Sequence, residues 1–370
     1  MLSMRKIVFI SDCLSQPRHI KRVTSLLNAG FEVKVYGYNR GQYDVNKYPN
    51  GANPIVLGIF GDGHGYLNKF KTLKHDVARI VGENGKDVLY YAFGILAAFM
   101  LKQKGCKYVY EISDILYAYP RFRFVMPLIK RIDRDIIDKA QLVVMTSEGF
   151  ADFHGFKSDK LVLIPNKVNS VLSSAQRTPL ELKDNDKIRF AFVGSIRYET
   201  TFRIAETIGK KYPNYEFHFY GGTKTFLERC QNLDNTYSNV FYHGAFRNPD
   251  DVPGIYNNLD VVVACYTTKS LNERIAEPNK LYEALFFCKP IIVAKDTFLS
   301  KQVNKYECGY CVDSSTIENI ENFLNSIDYK ELNRISRHEY ELNGDEFVDN
   351  AQILIEKYYC PLKLFDSTKN

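Results

Sequence analysis

Three features of the sequence predict an α/β protein of two doubly wound, Rossmann-like domains facing a cleft. Apolar, β-branched runs alternate with helical patterns almost end to end, as in parallel sheets covered by helices. The alternation lapses once, between residues 166 and 187, and then begins again. At 370 residues, with 45% hydrophobic and 14% aromatic content, the chain is long enough for two or three cores.

The first half predicts strands at 6–10, 32–38, 54–59, 87–91, 107–112, 142–146 and 161–164. Helices are expected at 18–29, 66–81, 93–104 and 124–139, the first stopped by Asn28-Ala29-Gly30, a left-handed terminator. Residues 166–187 are rich in Ser, Thr, Pro and charge and read as a linker. The second half predicts strands at 188–193, 216–220, 240–242, 260–265, 291–294 and 310–312, and helices at 201–211 and 278–287. A last helix is expected over 345–359, with Phe347, Ala351, Ile353, Leu354 and Tyr358 apolar, crossing back to the first domain. The expected domains are therefore 1–170, 171–344 and a C-terminal helix in 345–370.

Composition narrows the function. The apolar stretches 88–100 and 291–294 are shorter than the roughly 20 residues of a membrane span, and residues 1–6 run straight into a strand without the pattern of a signal peptide. A cytosolic protein is expected. The eight cysteines lie mostly on apolar segments, against a disulfide framework, and Cys308-Gly309-Tyr310-Cys311 has no companion pair and reads as a buried strand and turn. Charge is uneven: residues 1–170 carry 25 Lys and Arg against 15 Asp and Glu, and residues 171–370 carry 24 against 28. The positive half suits an anionic ligand or an anionic membrane surface. No recognition motif accompanies it, so nucleic acid is not an expected partner.

Doubly wound domains bind ligands at the carboxyl ends of their strands. The segment Glu277-Pro278-Asn279-Lys280-Leu281-Tyr282-Glu283 places proline at a helix start, leaving the N–H groups of Asn279 and Lys280 for an anion. Glu283 follows one turn later on the same face, where its carboxylate accepts two vicinal ribose hydroxyls or, alternatively, serves as a partner of the helix dipole. A second segment, Phe192-Val193-Gly194-Ser195-Ile196-Arg197, runs from a strand into glycine and then a cation able to neutralise phosphate. Neither this turn nor Ser11-Asp12-Cys13-Leu14 has the three-glycine dinucleotide fingerprint, which argues against a dehydrogenase. Gly61-Asp62-Gly63-His64-Gly65 reads as a loop, and His19 and His243 as strand-end histidines of structural or cleft-facing role.

These segments, with Phe219-Tyr220-Gly221-Gly222, Val240-Phe241-Tyr242-His243-Gly244, residues 256–260 and Lys289-Pro290-Ile291-Ile292, resemble the nucleotide-binding domain of the retaining GT-B glycosyltransferases, group 1 or family-four type. In the first half Leu163-Ile164-Pro165-Asn166-Lys167-Val168 and Thr146-Ser147-Glu148 are similar to the same family, and the segment Pro278-Asn279-Lys280-Leu281-Tyr282-Glu283 resembles members that build capsule, exopolysaccharide or lipopolysaccharide oligosaccharides in bacteria. The resemblance implies transfer of a sugar from a nucleotide diphosphate sugar to a glycan or lipid-linked hydroxyl, with no metal cofactor. It gives Glu283 the ribose and Asp114 the acidic position of the first domain. Ile275, flanked by Glu273 and Glu277, stands where the family has its first glutamate, and Glu277 is taken as its substitute. Ser195 and Thr200 occupy the places of the family's phosphate-binding arginine and lysine, so Arg197 and Lys280 are expected to supply the cations beside Gly194, Ser195, Asn279 and Leu281. The alternatives are a catalytically silent GT-B-like protein that binds a nucleotide sugar or glycan, and, more weakly, a sugar-nucleotide epimerase.

Residues 119–131, Tyr-Pro-Arg-Phe-Arg-Phe-Val-Met-Pro-Leu-Ile-Lys-Arg, mix aromatic, apolar and basic side chains. Two readings fit them: an interfacial helix on anionic lipid, or a helix packed on its own sheet with solvated arginines.

Overall fold

The computed structural model describes residues 6–39, 48–60, 65–223, 225–350, 353, 355 and 356. They form two compact units, the first made of the described residues up to Ile164 together with those from Asn350 onward, and the second running from Pro165 to Asp349.

In the first unit the described elements are β1 (Lys6–Ser11), α1 (Pro17–Asn28), β2 (Glu32–Asn39), β3 (Ile55–Ile59), α2 (Tyr66–Asn84), β4 (Leu89–Phe93), α3 (Ile95–Gln103), β5 (Lys107–Ile112), α4 (Met126–Lys139), β6 (Leu142–Met145), α5 (Glu148–His154) and β7 (Leu161–Leu163). The strands make one parallel sheet in the order β3-β2-β1-β4-β5-β6-β7, with Phe9 beside Val35 and Tyr91 in register. Residues Ile7, Phe9, Val33, Val35, Tyr91 and Val109 are buried on one face of the sheet and Val8, Ile10, Tyr36, Tyr90 and Tyr108 on the other, as both-face burial of a parallel sheet requires. Phe93 belongs to β4 rather than to the expected 93–104 helix, because Gly94 at φ +87° turns the chain before α3 starts. Helix α4 begins at Met126, after two 3₁₀ turns at Leu116–Ala118 and Pro120–Phe122.

The second unit contains β8 (Ile188–Val193), α6 (Glu199–Lys211), β9 (Tyr215–Tyr220), α7 (Leu227–Thr236), β10 (Val240–Gly244), α8 (Val252–Asn257), β11 (Val261–Ala264), α9 (Leu271–Ile275), α10 (Asn279–Phe287), β12 (Ile291–Ala294), α11 (Phe298–Tyr306), β13 (Gly309–Val312), α12 (Ile317–Asn325) and α13 (Tyr329–Glu341). Its sheet is parallel in the order β10-β9-β8-β11-β12-β13, so the winding reverses between β8 and β11. Phe190, Phe192, Phe217, Phe219, Val262 and Ile292 fill its core. Cys308 is fully buried and Cys311 partly so, both as free thiols.

The stretch expected to be a linker is strapped to the second unit. Val168 forms a parallel bridge with Val348, and Arg177 donates to the backbone carbonyls of Phe286, Glu339 and Leu342. The Leu180 N–H donates to Ser336 Oγ. Backbone polarity is thereby satisfied with little regular structure beyond a 3₁₀ turn at Ser170–Leu172, and the division by packing falls between Ile164 and Pro165. At the other end, Asn343 caps a 3₁₀ turn over Gly344–Phe347, so the last helix does not begin at 345. Most of the rest of that expected helix lies outside the described residues.

Helix α13 carries a carboxyl group with an exceptional environment. Glu339 is fully buried and neither side-chain oxygen has a hydrogen-bond partner. Burial holds its pKa well above the ordinary value of 4.5, against the opposing pull of Lys289 and Arg177. The folded protein therefore holds this proton to higher pH than the unfolded chain does; its contribution to stability is complete below 4.5 and declines as pH rises. Glu339→Met is expected to be more stable than the parent at pH 8 by about 1 kcal/mol or more, the gap narrowing towards pH 5. Urea midpoints at the two pH values check this, and a gap that does not change with pH would show the carboxyl already ionised in the fold.

Candidate functional site

The reversal between β8 and β11 places the turns that follow these two neighbouring strands at the point where doubly wound sheets open a crevice. Three segments meet there within the second unit: the turn after β8, the segment after β11, and the first turn of α10. Gly194 leaves β8 at φ +131°, and its N–H donates to the Tyr220 carbonyl at 2.7 Å. Gly221, at φ +149°, lies so near that a Cβ there would stand 1.8 Å from Gly194 O. Only glycine permits this approach. Ser195 and Arg197 follow as exposed side chains, Arg197 donating from Nε to Tyr198 Oη at 3.0 Å.

Helix α10 begins at Asn279, with Pro278 at the N-cap position in extended conformation instead of at the first helical position. No side chain caps this end; Leu281 N–H donates to the Pro278 carbonyl at 3.2 Å, which leaves the N–H groups of Asn279 and Lys280 to an outside acceptor. The Lys280 side chain is buried and points back beneath the β8 turn: a Cβ on Gly194 would lie 2.9 Å from Nζ. Nζ donates to Tyr266 Oη at 3.2 Å and sits 4.6 Å from the centre of the Phe192 ring. Burial lowers its pKa, while Tyr198 and Glu283 act to raise it. A buried ammonium with one phenol as hydrogen-bond partner retains donors for an anion.

Glu283 is 6% exposed, and both its oxygens are engaged: Oε2 accepts from Tyr256 Oη and Oε1 from Asn279 Nδ2, each at 2.7 Å. Two of about four lone-pair positions remain for hydroxyl donors. Burial, with the Glu283 charge added, pushes the Tyr256 phenol up, so Tyr256 stays a donor. Leu281 is fully buried in the core below. Glu277 is buried as well and accepts from Tyr282 Oη, while Glu273 accepts from Thr267 Oγ1 at 2.5 Å. The structure thus brings together Gly194, Lys280, Asn279 and Glu283, and ties Glu277 and Glu273 to local hydroxyls.

Asp114 belongs to the first unit, exposed just after β5, and accepts from Tyr119 Oη at 3.1 Å. His19 bonds Ser11 Oγ at 2.7 Å and stacks on Phe93, and His243 bonds His218 at 3.0 Å and stacks on Tyr220; both have structural partners. Gly61, Asp62, Gly63 and His64 lie outside the described residues. Sequence reasoning missed Tyr266 and Tyr198. Tyr266, two residues past the end of β11, carried a usable signal, since it stands at a carboxyl strand end. Among the described residues no group of three or more His, Cys, Asp or Glu is placed to hold a metal ion.

Both units have the parallel, doubly wound architecture of the GT-B glycosyltransferases, which is the fold class of this chain. Residues 176–347 match the family described as glycosyl transferases group 1. The chain is 20% identical to the succinoglycan biosynthesis protein ExoL of Rhizobium meliloti, covering 87% of this chain and 84% of that one. Among solved structures it is similar to sucrose-phosphate synthase from Thermosynechococcus elongatus, at 15% identity and a TM-score of 0.74 over 98% of this chain and 100% of that one. It is also similar to Anabaena HepE in complex with UDP-glucose, at 14% identity and a TM-score of 0.69, covering 97% and 99% of the two chains. Together these matches support a glycosyltransferase.

Proposed function

We propose that the protein transfers a sugar, with retention, from a nucleotide diphosphate sugar to a glycan or lipid-linked hydroxyl in bacterial surface polysaccharide synthesis. The observation that carries this reading is the convergence of Lys280, the uncapped first turn of α10 and Glu283 beside the Gly194 turn. In this reading the diphosphate rests on the N–H groups of Asn279 and Lys280, and the ribose hydroxyls donate to the open lone pairs of Glu283. Arg197 and Lys280 meet the charge that grows on the leaving phosphate, and no resident metal is called for. The sugar C1–O bond to the diphosphate breaks as the acceptor oxygen bonds C1 on the same face, and the acceptor proton passes to the departing phosphate oxygen. The first unit takes the acceptor, with Asp114 orienting its hydroxyl. Surface polysaccharide synthesis is supported by the likeness to ExoL, and a uridine nucleotide is favoured by the complexes of HepE.

A second reading, a nucleotide-sugar-binding protein without turnover, is favoured by one observation: Ser195 and Thr200 stand where the resembled family has its phosphate-binding arginine and lysine, and Thr200 is buried with Oγ1 donating to the Cys265 carbonyl. One experiment separates the two. A panel of UDP-, GDP- and dTDP-sugars is screened for thermal stabilisation, and the stabilising donors are then incubated with glycan and polyprenyl-diphosphate-glycan acceptors. Stabilisation followed by release of free nucleotide diphosphate supports transfer. Stabilisation without release supports binding alone, and no stabilisation by any nucleotide overturns both.

A further inference from the structure

Exposed apolar side chains gather at one place on the first unit. Phe124 is 87% exposed and Leu128 63%, with Val125 and Ile132 also open to solvent. Positions 124, 128 and 132 repeat at four-residue spacing and line one face of α4 and the turn before it. The opposite face of α4 carries Asp133, Ile136 and Ile137 and is buried. Cations border the open face: Arg121, Arg123 and Arg131 are exposed, and the Arg123 guanidinium lies 4.9 Å from the centre of the Phe124 ring. This is the arrangement of a side chain whose stem covers an apolar surface while its charge remains at the rim.

The inner side of the same segment is pinned. Tyr117 Oη and Tyr110 Oη donate to the buried Asp133 at 2.7 and 2.9 Å, and Lys130 Nζ donates to the Phe153 carbonyl at 2.7 Å. The patch is thus presented by a fixed support and cannot fold its apolar residues inward. An apolar ridge rimmed by arginines matches a surface that is apolar within and anionic at its boundary.

We infer that this face docks on the headgroup region of an anionic bilayer, with Phe124 and Leu128 entering the interface and Arg121, Arg123 and Arg131 at the lipid phosphates. The patch is continuous with the acid given to the acceptor. Arg121 stacks 5.6 Å from the Tyr119 ring centre, and Tyr119 donates to Asp114. Docking would bring a lipid-linked acceptor to Asp114, a consequence that rests on the transferase reading. The docking itself stands on the surface alone, so it can fail without affecting that reading.

The test is co-sedimentation of the full chain with phosphatidylcholine vesicles and with vesicles containing 30% phosphatidylglycerol, at 0.1 and 0.5 M NaCl. Binding is expected to the anionic vesicles only, and to weaken at high salt. Arg123→Gln with Arg131→Gln should weaken partition about thirtyfold, and Phe124→Asp with Leu128→Asp should abolish it, both with unchanged melting temperature. Equal binding to neutral vesicles, or anionic binding insensitive to these substitutions, overturns the proposal. So does a wild-type dimer in light scattering that Phe124→Asp dissociates while vesicles bind nothing, for the face is then an interface between two copies.

Discussion

Glu283→Ala is expected to weaken nucleotide-sugar binding about a hundredfold, measured by calorimetry with whichever nucleotide the stabilisation screen selects. Two hydrogen bonds to a carboxylate are worth about 1.5 kcal/mol or more apiece, and their loss together gives that factor. The substitution also strands Tyr256 Oη and Asn279 Nδ2, which now donate to this side chain. A buried donor without acceptor costs roughly 1–3 kcal/mol, so a lower melting temperature should accompany the lost affinity. Glu283→Gln separates the two effects. It retains an oxygen for Tyr256 and should recover much of the stability while binding nucleotide weakly. If Glu283→Ala remains folded and binds within threefold of the parent, the ribose is held elsewhere and the assignment of this pocket fails.

The second large effect is expected at Gly221. An alanine there places its Cβ 1.8 Å from Gly194 O, a backbone atom that cannot swing away, at a φ of +149°. Overpacking and strain combine, and about 3–5 kcal/mol of stability should be lost. Gly222→Ala is the internal control, since its Cβ would meet Ala245 at an ordinary 3.7 Å and is expected to change stability by under about 1 kcal/mol. Urea unfolding of the pair is decisive: equal midpoints would mean that the two turns are not in contact in solution.

Much of this fold could be read along the chain. The strands of both sheets follow from β-branched runs, because burial on two faces leaves little room for polar residues. Helix α10 was legible because proline, an amide, a cation and an acid fall within one and a half turns. Helices α5, α7, α8, α9, α11, α12 and α13 were not anticipated. Several are short and depend on packing for their stability more than on a strong period of their own. The state of the site residues was also hidden. Nothing near Glu283 in sequence announces Tyr256, 27 positions earlier, as the donor that holds it. Likewise nothing in the sequence around the acids flanking Ile275 announces that Tyr282 donates to Glu277 and Thr267 to Glu273. Such pairings are decided by tertiary approach, which local spacing does not encode.

The bridge between Val168 and Val348 has a practical corollary. Val168 N–H donates to Phe347 O at 2.9 Å and Asp349 N–H to Val168 O at 2.7 Å, so the chain enters and leaves the second unit side by side. That unit is built like a cassette whose two ends are neighbours. Excised from Pro165 to Asp349 it keeps both strands of its own clasp, whereas a cut at 171 discards half of the clasp. A short glycine bridge across those ends would then permit circular permutants with new termini opened in exposed loops far from α10.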